Sequence, residues 1–303
     1  MSDRAAAPER FRCPTCGGAV RVPAPGDTSA VCAACATAVA VENGIVILTA
    51  PADDRDYPKD LIELVTAVED RHFWFAARND VIVSALRRVP GDLRNKHALD
   101  IGCGRGFVAA ALERAGLVVS GADMHLSALR RARTRMRGAV VASRATTLPF
   151  FADFDVAALF DVIEHVDDDV AVLDHARQML LPGGHVVVTV PAGPELWTAY
   201  DDVIGHKRRY DRAMLVAALQ RAQFALRHVS YFNFAVVLAG MRQRQTRAAQ
   251  AVSDRGAIVR RALTVPPGPL NTLLRWSVKA ESPFRRFSWL RGGSLIAVAQ
   301  RSN

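Results

Sequence analysis

The feature that most constrains this chain is an alternation of short apolar runs and amphipathic segments that begins at residue 97. Strands separated by helical segments of about 10–15 residues predict βαβ units and a parallel sheet. The nearly continuous apolar run HVVVTVP agrees, because strands of such a sheet are covered on both faces. Two later runs, FALRHVSYF and SLIAVAQR, complete the prediction. The expected fold is α/β, with a doubly wound, Rossmann-like, mostly parallel sheet of about seven strands.

A glycine-rich turn follows the first predicted strand. Gly102, Gly104 and Gly106 occupy alternate positions, which let the backbone turn sharply and approach a ligand without a Cβ atom in the way. The next helix would offer its N-terminal amide groups to the same ligand. Asp123 ends the second strand, where a carboxylate can accept both hydroxyls of a ribose. The spacing is GxGxG rather than the GxGxxG of dinucleotide binders, and it predicts a site for a nucleoside-containing cofactor.

Five segments between residues 97 and 191 together resemble the class I S-adenosylmethionine-dependent methyltransferases: ALDIGCGRG, GADMHLSALRRAR, LPF, FDVAALFDVIEHV and LLPGGHVVVTVP. The resemblance implies that the three glycines wrap the methionine part of the cofactor. It implies that Asp100 supports the glycine turn and the cofactor's amino group, and that Asp123 binds the ribose. Met124 would pack on the adenine, and Asp161 would line the reaction cleft.

One position departs from the pattern of this family. Its members often carry Gly-Asp-Ala before the LPF segment, and the Asp binds the adenine amino group. Here the residues are Ser143, Arg144 and Ala145. A guanidinium has donors only, so Arg144 cannot accept that hydrogen bond. We expect Ser143 or a backbone carbonyl to substitute, or the affinity for the cofactor to be lower.

Two further segments resemble a bacterial subgroup of these enzymes, EDRHFWFAARND at 69–80 and GHKRRYDRAML at 205–215. Over the carboxyl edge of the sheet, the second segment would form a polar wall around an acceptor. The first would close the cofactor site from above, with an arginine paired to a carboxylate. The alternative interpretation is that the aromatic residues pack in the core and the arginines form surface ion pairs. The candidates for substrate binding are Trp74, Arg78, Arg209 and Tyr210.

Methyl transfer to oxygen needs a group that accepts the hydroxyl proton. The methyl group of a sulfonium is already activated, so alignment with the nucleophile supplies most of the remaining acceleration. Histidine is the natural proton acceptor near neutral pH. His165, in the EHV segment after the fourth strand, and His206 are the two candidates. In this family the EHV histidine can also serve only to shape the cleft, and Arg209 would bind an anionic group of the acceptor.

The first fifty residues carry a second pattern, two CxxC pairs with 15 residues between them. Two such pairs at this separation are typical of a tetrahedral four-thiolate zinc site. Gly17 and Gly18 permit the tight turn after the first pair. Two disulfides or reduced thiols are the alternatives, and a cytoplasmic chain disfavours disulfides. The predicted ligands of a structural zinc ion are Cys13, Cys16, Cys32 and Cys35.

Changes of composition along the chain indicate its domains. Short apolar runs, with Asn43-Gly44 as a hairpin turn, predict a small β-rich module at the N-terminus. A proline and an acidic run follow and mark a linker. The predicted organisation is a zinc ribbon at 1–50, a linker and N-terminal helices over the active site at 51–90, and a methyltransferase domain at 91–303 with an insertion or lid at about 233–292.

The sequence predicts methyl transfer from S-adenosylmethionine to an acceptor, most directly a hydroxyl of a small or lipid-linked metabolite. Two alternatives stay open: an RNA methyltransferase whose ribbon recognises RNA, and a catalytically silent S-adenosylmethionine binder whose ribbon recruits a partner protein. The net charge of +9 does not decide for RNA, since only four of the 39 basic residues are lysine. This arginine bias is typical of a GC-rich genome, whereas a nucleic-acid site needs basic residues clustered on one face.

The sequence also bears on location. No stretch reaches the roughly 18 apolar residues of a membrane span, and the N-terminus has no apolar signal-peptide core. We therefore expect a cytoplasmic protein. The segment 233–247 is apolar at its start and basic at its end, so it could rest at a membrane interface as a peripheral contact. A core helix or a substrate lid is the alternative interpretation of this segment.

Overall fold

A computed structural model describes residues 10–22, 24, 26–49, 59–234, 255–281 and 291–302. The strands in these ranges are β1 (Arg10–Arg12), β2 (Ala19–Arg21), β3 (Ser29–Val31), β4 (Ala38–Glu42), β5 (Ile45–Ile47), β6 (His97–Ile101), β7 (Val118–Asp123), β8 (Val140–Ala142), β9 (Phe154–Phe160), β10 (Leu180–Pro191), β11 (Phe224–Phe232) and β12 (Ser294–Arg301). The α-helices are α1 (Lys59–Val68), α2 (Phe73–Leu86), α3 (Phe107–Arg114), α4 (Leu126–Arg135), α5 (Asp169–Met179), α6 (Ala199–Val203), α7 (Arg212–Arg221), α8 (Arg255–Ala262) and α9 (Gly268–Ala280).

Ten of these strands form one sheet, in the order β11-β12-β10-β9-β6-β7-β8-β5-β4-β3. Its central strands β10, β9, β6, β7 and β8 run parallel, and the helices α3, α4 and α5 connect them. Strand β12 lies antiparallel between β10 and β11. The strands β6 to β12 are the seven strands of the predicted doubly wound sheet, and that prediction is confirmed.

The apolar strands explain why the sheet is covered on both faces. All five residues of β6 are buried, as is almost all of β9. Successive side chains of a strand point to opposite faces. Neighbours such as Val186 and Val187 in β10 accordingly belong to two different clusters of buried apolar side chains. A strand that is apolar at every position is stable only between two such layers.

Part of the N-terminal module joins this sheet, while β1 and β2 pair with each other in a separate two-stranded sheet. The hairpin of β4 and β5 turns at Asn43 and Gly44, whose φ values of 49° and 75° are both positive, as the predicted two-residue turn requires. Strand β5 then pairs in parallel with β8, with Ile45 opposite Val140. The strands β3, β4 and β5 therefore extend the Rossmann-like sheet at one edge.

The hairpin of β1 and β2 is anchored to the same domain by one aromatic side chain. Phe11 is fully buried, and its ring packs edge-on against Phe150 with the centroids 5.6 Å apart. The neighbouring Arg12 donates from Nε to the carbonyl of Phe150 at 3.0 Å, and its guanidinium lies over the ring of Phe151. The interior of the module is thus continuous with the core of the large domain, and we expect the stabilities of the two to be coupled.

Two helices of the predicted insertion pack beside the N-terminal helices. Helix α8 contacts α1, and α9 contacts α2. Asn271 of α9 accepts a hydrogen bond from the backbone of Phe73 at 2.9 Å and donates one to the carbonyl of Arg71 at 2.8 Å. Most of the 233–247 segment, for which a core helix or lid and a peripheral membrane contact were both left open, lies outside the described residues. Within the described ranges, no helix is both long enough and apolar enough to cross a bilayer.

Candidate active site

The carboxyl ends of β6, β7, β9 and β10 meet at one edge of the sheet, and the glycine turn lies there directly after β6. Gly102 has a φ of 73°, and a Cβ atom at this position would lie 2.5 Å from Cγ2 of Val162. Gly104 has a φ of 52°, and no atom of the described residues lies within 4 Å of the place its Cβ would take. The turn therefore presents a bare backbone to open space, where the polar end of a ligand can lie.

Two carboxylates frame this turn. Asp123, the last residue of β7, accepts hydrogen bonds from the backbone N–H groups of Gly104 at 2.9 Å and His125 at 2.8 Å. Met124, the next residue after Asp123, is half-buried. Asp100 in β6 is buried, and its Oδ2 has no hydrogen-bond partner in the described part of the chain. Burial raises the pKa of Asp100 to about 7. A buried oxygen of this kind indicates a place for a ligand's donor group.

Helix α2 brings Arg78 to the same edge. Its Nη2 atom lies 2.7 Å from Oδ2 of Asp161, and Oδ1 of Asp161 accepts a hydrogen bond from Thr189 at 3.0 Å. Asp161 follows β9 with a φ of 57°, a conformation that is uncommon for a non-glycine residue and recurs at functional sites. The Nε of Arg78 is buried and has no partner among the described residues. The guanidinium therefore has a free donor inside the site.

The N-terminal helices are fastened over the glycine turn by a buried carboxylate. Glu69, in the connection between α1 and α2, accepts a hydrogen bond from Nε of Arg105 at 2.8 Å and another from Arg135 of α4. Arg105 belongs to the glycine turn itself. Removal of Glu69 would leave Arg105, whose side chain is only 15% exposed, without this carboxylate partner. These ion pairs therefore hold α1 and α2 across the edge of the sheet.

His206 lies after α6 and is oriented by a carboxylate. Its Nδ1 is 2.8 Å from Oδ1 of Asp201, which is completely buried. Arg209 donates to both oxygens of Asp201, at 2.7 and 3.0 Å, and Thr198 donates to Oδ2 from its backbone and its hydroxyl. Burial alone would raise the pKa of Asp201, but the hydrogen bonds from His206 and Arg209 lower it below its ordinary range. Asp201 is thus a fixed negative charge behind the imidazole.

Glu164 and His165 lie in the turn after β9 and face the same histidine. The rings of His165 and His206 have centroids 4.8 Å apart. Glu164 is completely buried, and within the described structure neither carboxylate oxygen has a hydrogen-bond partner. Burial raises the pKa of Glu164 well above its ordinary range. Burial also lowers the pKa of His165 to about 4. One ligand atom from each of the three residues lies within 4.8 Å of the others, so the group could also hold a divalent cation.

All four predicted substrate-binding residues have partners inside the protein, and Arg78 has been described above. Tyr210 is buried, and its hydroxyl donates to Oδ2 of Asp169 at 2.8 Å. Burial and the adjacent Asp169 raise the pKa of Tyr210. Trp74 is half-buried and stacks on Phe232 of β11, with the ring centroids 5.9 Å apart. Arg209, as described above, is paired with Asp201. These contacts hold the segments around the site together.

Four residues of the site were not among those predicted, and a local signal exists for one of them. Thr198 and Asp201 form a capping box at the start of α6, and such a box can be recognised in a sequence as a threonine followed three residues later by an acid. It indicates a helix start but not a contact with His206. The residues that sequence analysis missed are Glu69, Glu164, Thr189 and Asp201.

Away from this edge, the four cysteines of the N-terminal module converge. Sγ of Cys13 lies 3.7 Å from Sγ of Cys35, and Sγ of Cys16 lies 3.6 Å from Sγ of Cys32. All four sulfurs lie within 4.8 Å of one another, and all four thiols are free. Sulfurs bound at about 2.3 Å in a tetrahedron are about 3.8 Å apart, so the spacing fits a zinc ion.

The two cysteine pairs have the same backbone geometry. The N–H of Gly17 donates to the carbonyl of Cys13, and the N–H of Ala36 donates to the carbonyl of Cys32, both at 2.9 Å. Gly17 and Ala36 have φ values of 72° and 58°. Each pair is therefore a tight turn that points two sulfurs to one place. This repeated geometry is what a metal shared by both turns requires.

Comparison with known proteins agrees with the geometry at the sheet edge. Residues 99–188 match the family model for the methyltransferase domain. A ubiquinone biosynthesis O-methyltransferase of Alkalilimnicola ehrlichii is 35% identical over 104 residues, covering 32% of this chain and 42% of that protein. One of Serratia proteamaculans is 32% identical over 127 residues, covering 39% of this chain and 53% of that protein. The chain thus spans about half the length of the curated relatives it matches.

Solved structures share the fold at low sequence identity. The cyclase SpnF matches with a TM-score of 0.54 and 17% identity, covering 83% of this chain and 98% of that one. A geranyl diphosphate C-methyltransferase of Streptomyces coelicolor A3(2), solved with S-adenosyl-L-homocysteine, matches with a TM-score of 0.51 and 13% identity, covering 75% of this chain and 76% of that one. The chain has the Rossmann-like methyltransferase fold. Because a cyclase shares it, the reaction must be argued from the site.

Proposed function

We propose that this protein transfers a methyl group from S-adenosylmethionine to a hydroxyl of a small or lipid-linked metabolite. The observation that carries the proposal is a bare glycine turn at the same sheet edge as a histidine oriented by a buried carboxylate. The turn suits the cofactor, and the histidine suits removal of a hydroxyl proton. The name of the relatives, ubiquinone biosynthesis O-methyltransferase, supports an oxygen acceptor on a small molecule.

The residues around the glycine turn fit S-adenosylmethionine. The methionine end of this cofactor carries an ammonium and a carboxylate. The unpartnered Oδ2 of Asp100 suits the ammonium, and the unpartnered Nε of Arg78 suits the carboxylate. Asp123 can still accept hydrogen bonds from ribose hydroxyls, since each carboxylate oxygen has two lone pairs. The bound cofactor would supply an activated methyl group, and the protein would align it with the acceptor.

Recognition of adenine requires an acceptor other than Arg144. Ser143 lies buried beside Asp123, and its backbone N–H donates to the carbonyl of Asp123 at 2.9 Å. The hydroxyl of Ser143 donates to the carbonyl of Thr147 at 2.9 Å, which leaves its lone pairs able to accept. Arg144 itself is exposed. Ser143 is therefore our candidate for the adenine contact, together with Met124 on the ring face.

We assign the role of proton acceptor to His206. With Nδ1 bonded to Asp201, the imidazole can keep the lone pair of Nε2 for the hydroxyl proton of the acceptor. The fixed charge of Asp201 would stabilise the imidazolium that forms. Among the described contacts, His165 has no carboxylate bonded to its ring, and its position beside His206 suits shaping the cleft. Arg209 and Tyr210 then act through Asp201 and Asp169 as positioning residues.

The test of this assignment is His206→Ala. We expect it to lower kcat about 10²–10⁴-fold, the usual contribution of a general base, and to leave the Kd for S-adenosylmethionine unchanged. The measurement is transfer of labelled methyl groups into fractionated host extract, followed by mass analysis of the product. His165→Ala is the matched control, with a smaller expected loss. A larger loss in His165→Ala than in His206→Ala would move the base to His165.

The same assay separates the proposal from its alternatives. Label that appears in RNA alone would make the protein an RNA methyltransferase, and cofactor binding without any labelled product would make it a silent binder. The cluster of Glu164, His165 and His206 favours one further role for His206, as a ligand of a divalent cation. If activity is lost after a chelator and restored by Mg²⁺ or Mn²⁺, with the affinity for the cofactor unchanged throughout, His206 is a ligand and not the base.

We also propose that the cysteine cluster holds one structural zinc ion. The spacing of its sulfurs and the two matching turns support this role. Each cysteine would contribute one thiolate, so no position is left open for a water or a substrate, as is typical of structural rather than catalytic sites. The metal would also supply folding energy to a module too small to be stable by apolar burial alone.

A further inference from the structure

Helix α9 presents an apolar ridge to the outside. Its members are three large side chains that are 47%, 65% and 64% exposed: Leu270, Leu273 and Trp276. Their spacing of three residues places them on successive turns of one side of the helix. Among the described residues, half of the six exposed large apolar side chains lie on this helix. Such a concentration marks an interaction surface, whereas single exposed apolar residues need no explanation.

A stripe of positive charge runs beside the ridge. Arg275 and Lys279 both lie 3.2 Å from Asp80 of α2, and Nζ of Lys279 lies 5.7 Å from the ring centroid of Trp276. Both cations line a cavity of about 670 Å³ between α2, α3 and α9. The only carboxylate that lines this cavity in the described structure is Asp80. The cations that line it are Arg87, Arg114, Arg275 and Lys279.

We propose that this face of α9 docks on a bilayer containing anionic phospholipid. The ridge (Leu270, Leu273, Trp276) would enter the interface, and the cations of the cavity would bind headgroup phosphates. An exposed apolar ridge that ends in a tryptophan, with long cationic side chains on the same helix, suits a lipid interface, where indole rings lie and Lys and Arg reach the headgroups. The net charge of +9 adds a general attraction to an anionic surface.

The surface is tied to the helices that cover the candidate active site. Asn271, on the inner side of α9, binds the backbone at the start of α2, and α2 carries Arg78. A bilayer under α9 would therefore lie close to the cover of the site. The inference does not depend on the proposed reaction, because binding to lipid needs neither acceptor nor cofactor.

The test is co-sedimentation of the full chain with vesicles, without cofactor or acceptor. We expect at least about tenfold stronger partition onto phosphatidylcholine mixed with phosphatidylglycerol than onto phosphatidylcholine alone, since each cation near an anionic surface contributes about 1 kcal/mol. Leu273→Glu should lower partition about tenfold by removing apolar burial. Its matched control is Met214→Glu, at an exposed residue of α7, which should bind as the unchanged protein does.

The charge requirement has its own pair of variants. Arg275→Gln combined with Lys279→Gln should remove most of the preference for phosphatidylglycerol, and Arg130→Gln, at an exposed cation of α4, should not. Quenching of Trp276 fluorescence by brominated lipid, absent in Trp276→Phe, would place the ridge in the interface. The proposal is overturned if the wild-type protein stays in solution with both kinds of vesicle. It is equally overturned if Leu273→Glu and Met214→Glu reduce partition onto the vesicles by the same factor. It is also overturned if Leu273→Glu converts a dimer into a monomer, because a second copy would then cover the ridge.

Discussion

Gly104→Asp is expected to abolish measurable binding of S-adenosylmethionine. The backbone of Gly104 is bonded to Asp123 and its Cβ position faces open space among the described residues, so the new carboxylate would enter the space proposed for the methionine end of the cofactor and repel its carboxylate. Like charges brought together in a binding site cost several kcal/mol. A loss of affinity of about a hundredfold or more should follow, because each 1.4 kcal/mol is about a factor of ten. Isothermal titration calorimetry with the cofactor and its demethylated product measures it.

Gly104→Asn is the matched control for this experiment. Asparagine has nearly the same volume as aspartate, carries no charge, and tolerates the φ of 52° about equally well. We expect a clearly smaller loss in Gly104→Asn, with the same thermal stability for both variants in the absence of ligand. Equal losses of cofactor affinity in the two variants would mean that the volume of the new side chain, and not its charge, causes the loss. Wild-type affinity in Gly104→Asp would place the methionine end of the cofactor away from this turn.

The second large effect is expected from the cysteine cluster. Elemental analysis of the wild-type protein should find about one zinc ion per chain. The double substitution of Cys13 and Cys32 by serine should remove this ion. Structural zinc sites are worth about 10–16 kcal/mol in small peptides, so the module should unfold without the ion. Because β5 pairs with β8 and Phe11 packs on Phe150, the melting temperature of the whole domain should fall as well.

Cys103→Ser is the control for the zinc experiment. Cys103 is buried in the glycine turn, apart from the cluster, so its substitution should leave the zinc content unchanged. Hydrogen exchange of residues 10–49 reports directly on the module. Full protection of these residues in a metal-free protein would contradict the proposed zinc site. Loss of protection in 10–49 with an unchanged melting temperature would contradict the coupling to the large domain.

Much of the fold could be predicted because its signals are local. A strand covered on both faces must be apolar at nearly every position, and this pattern is clearest in the central strands β6, β9 and β10. A two-residue hairpin turn of type I′ needs positive φ at both residues, which Asn43 and Gly44 supply. The cysteine pairs and the glycine turn are equally local, since the spacing of a few residues sets the direction in which their sulfurs or amide groups point.

The candidate site divides along the same line. Asp123, at the end of β7, and Asp161, directly after β9, could be placed at the sheet edge by counting along the sequence. The histidines were predicted as a pair of candidates, but their difference depends on Asp201, which only the folded chain brings to Nδ1 of His206. The closing of the N-terminal helices over the glycine turn depends in the same way on Glu69 and Arg105, which are 36 residues apart.

Residues close together in the chain set which segments are strands and helices, where the glycine turn lies and that four sulfurs can share one metal, so these features could be predicted from local patterns. Only the folded domain sets the partners of distant segments: β5 beside β8, Glu69 beside Arg105, and, among the described residues, the exposed ridge of α9 next to a cationic cavity. The hydrophobic pattern of a segment indicates how much of its surface must be buried. It does not indicate which other segment of the chain packs against that surface. That choice is made by the packing of the whole domain, in which contacts between distant segments are formed together.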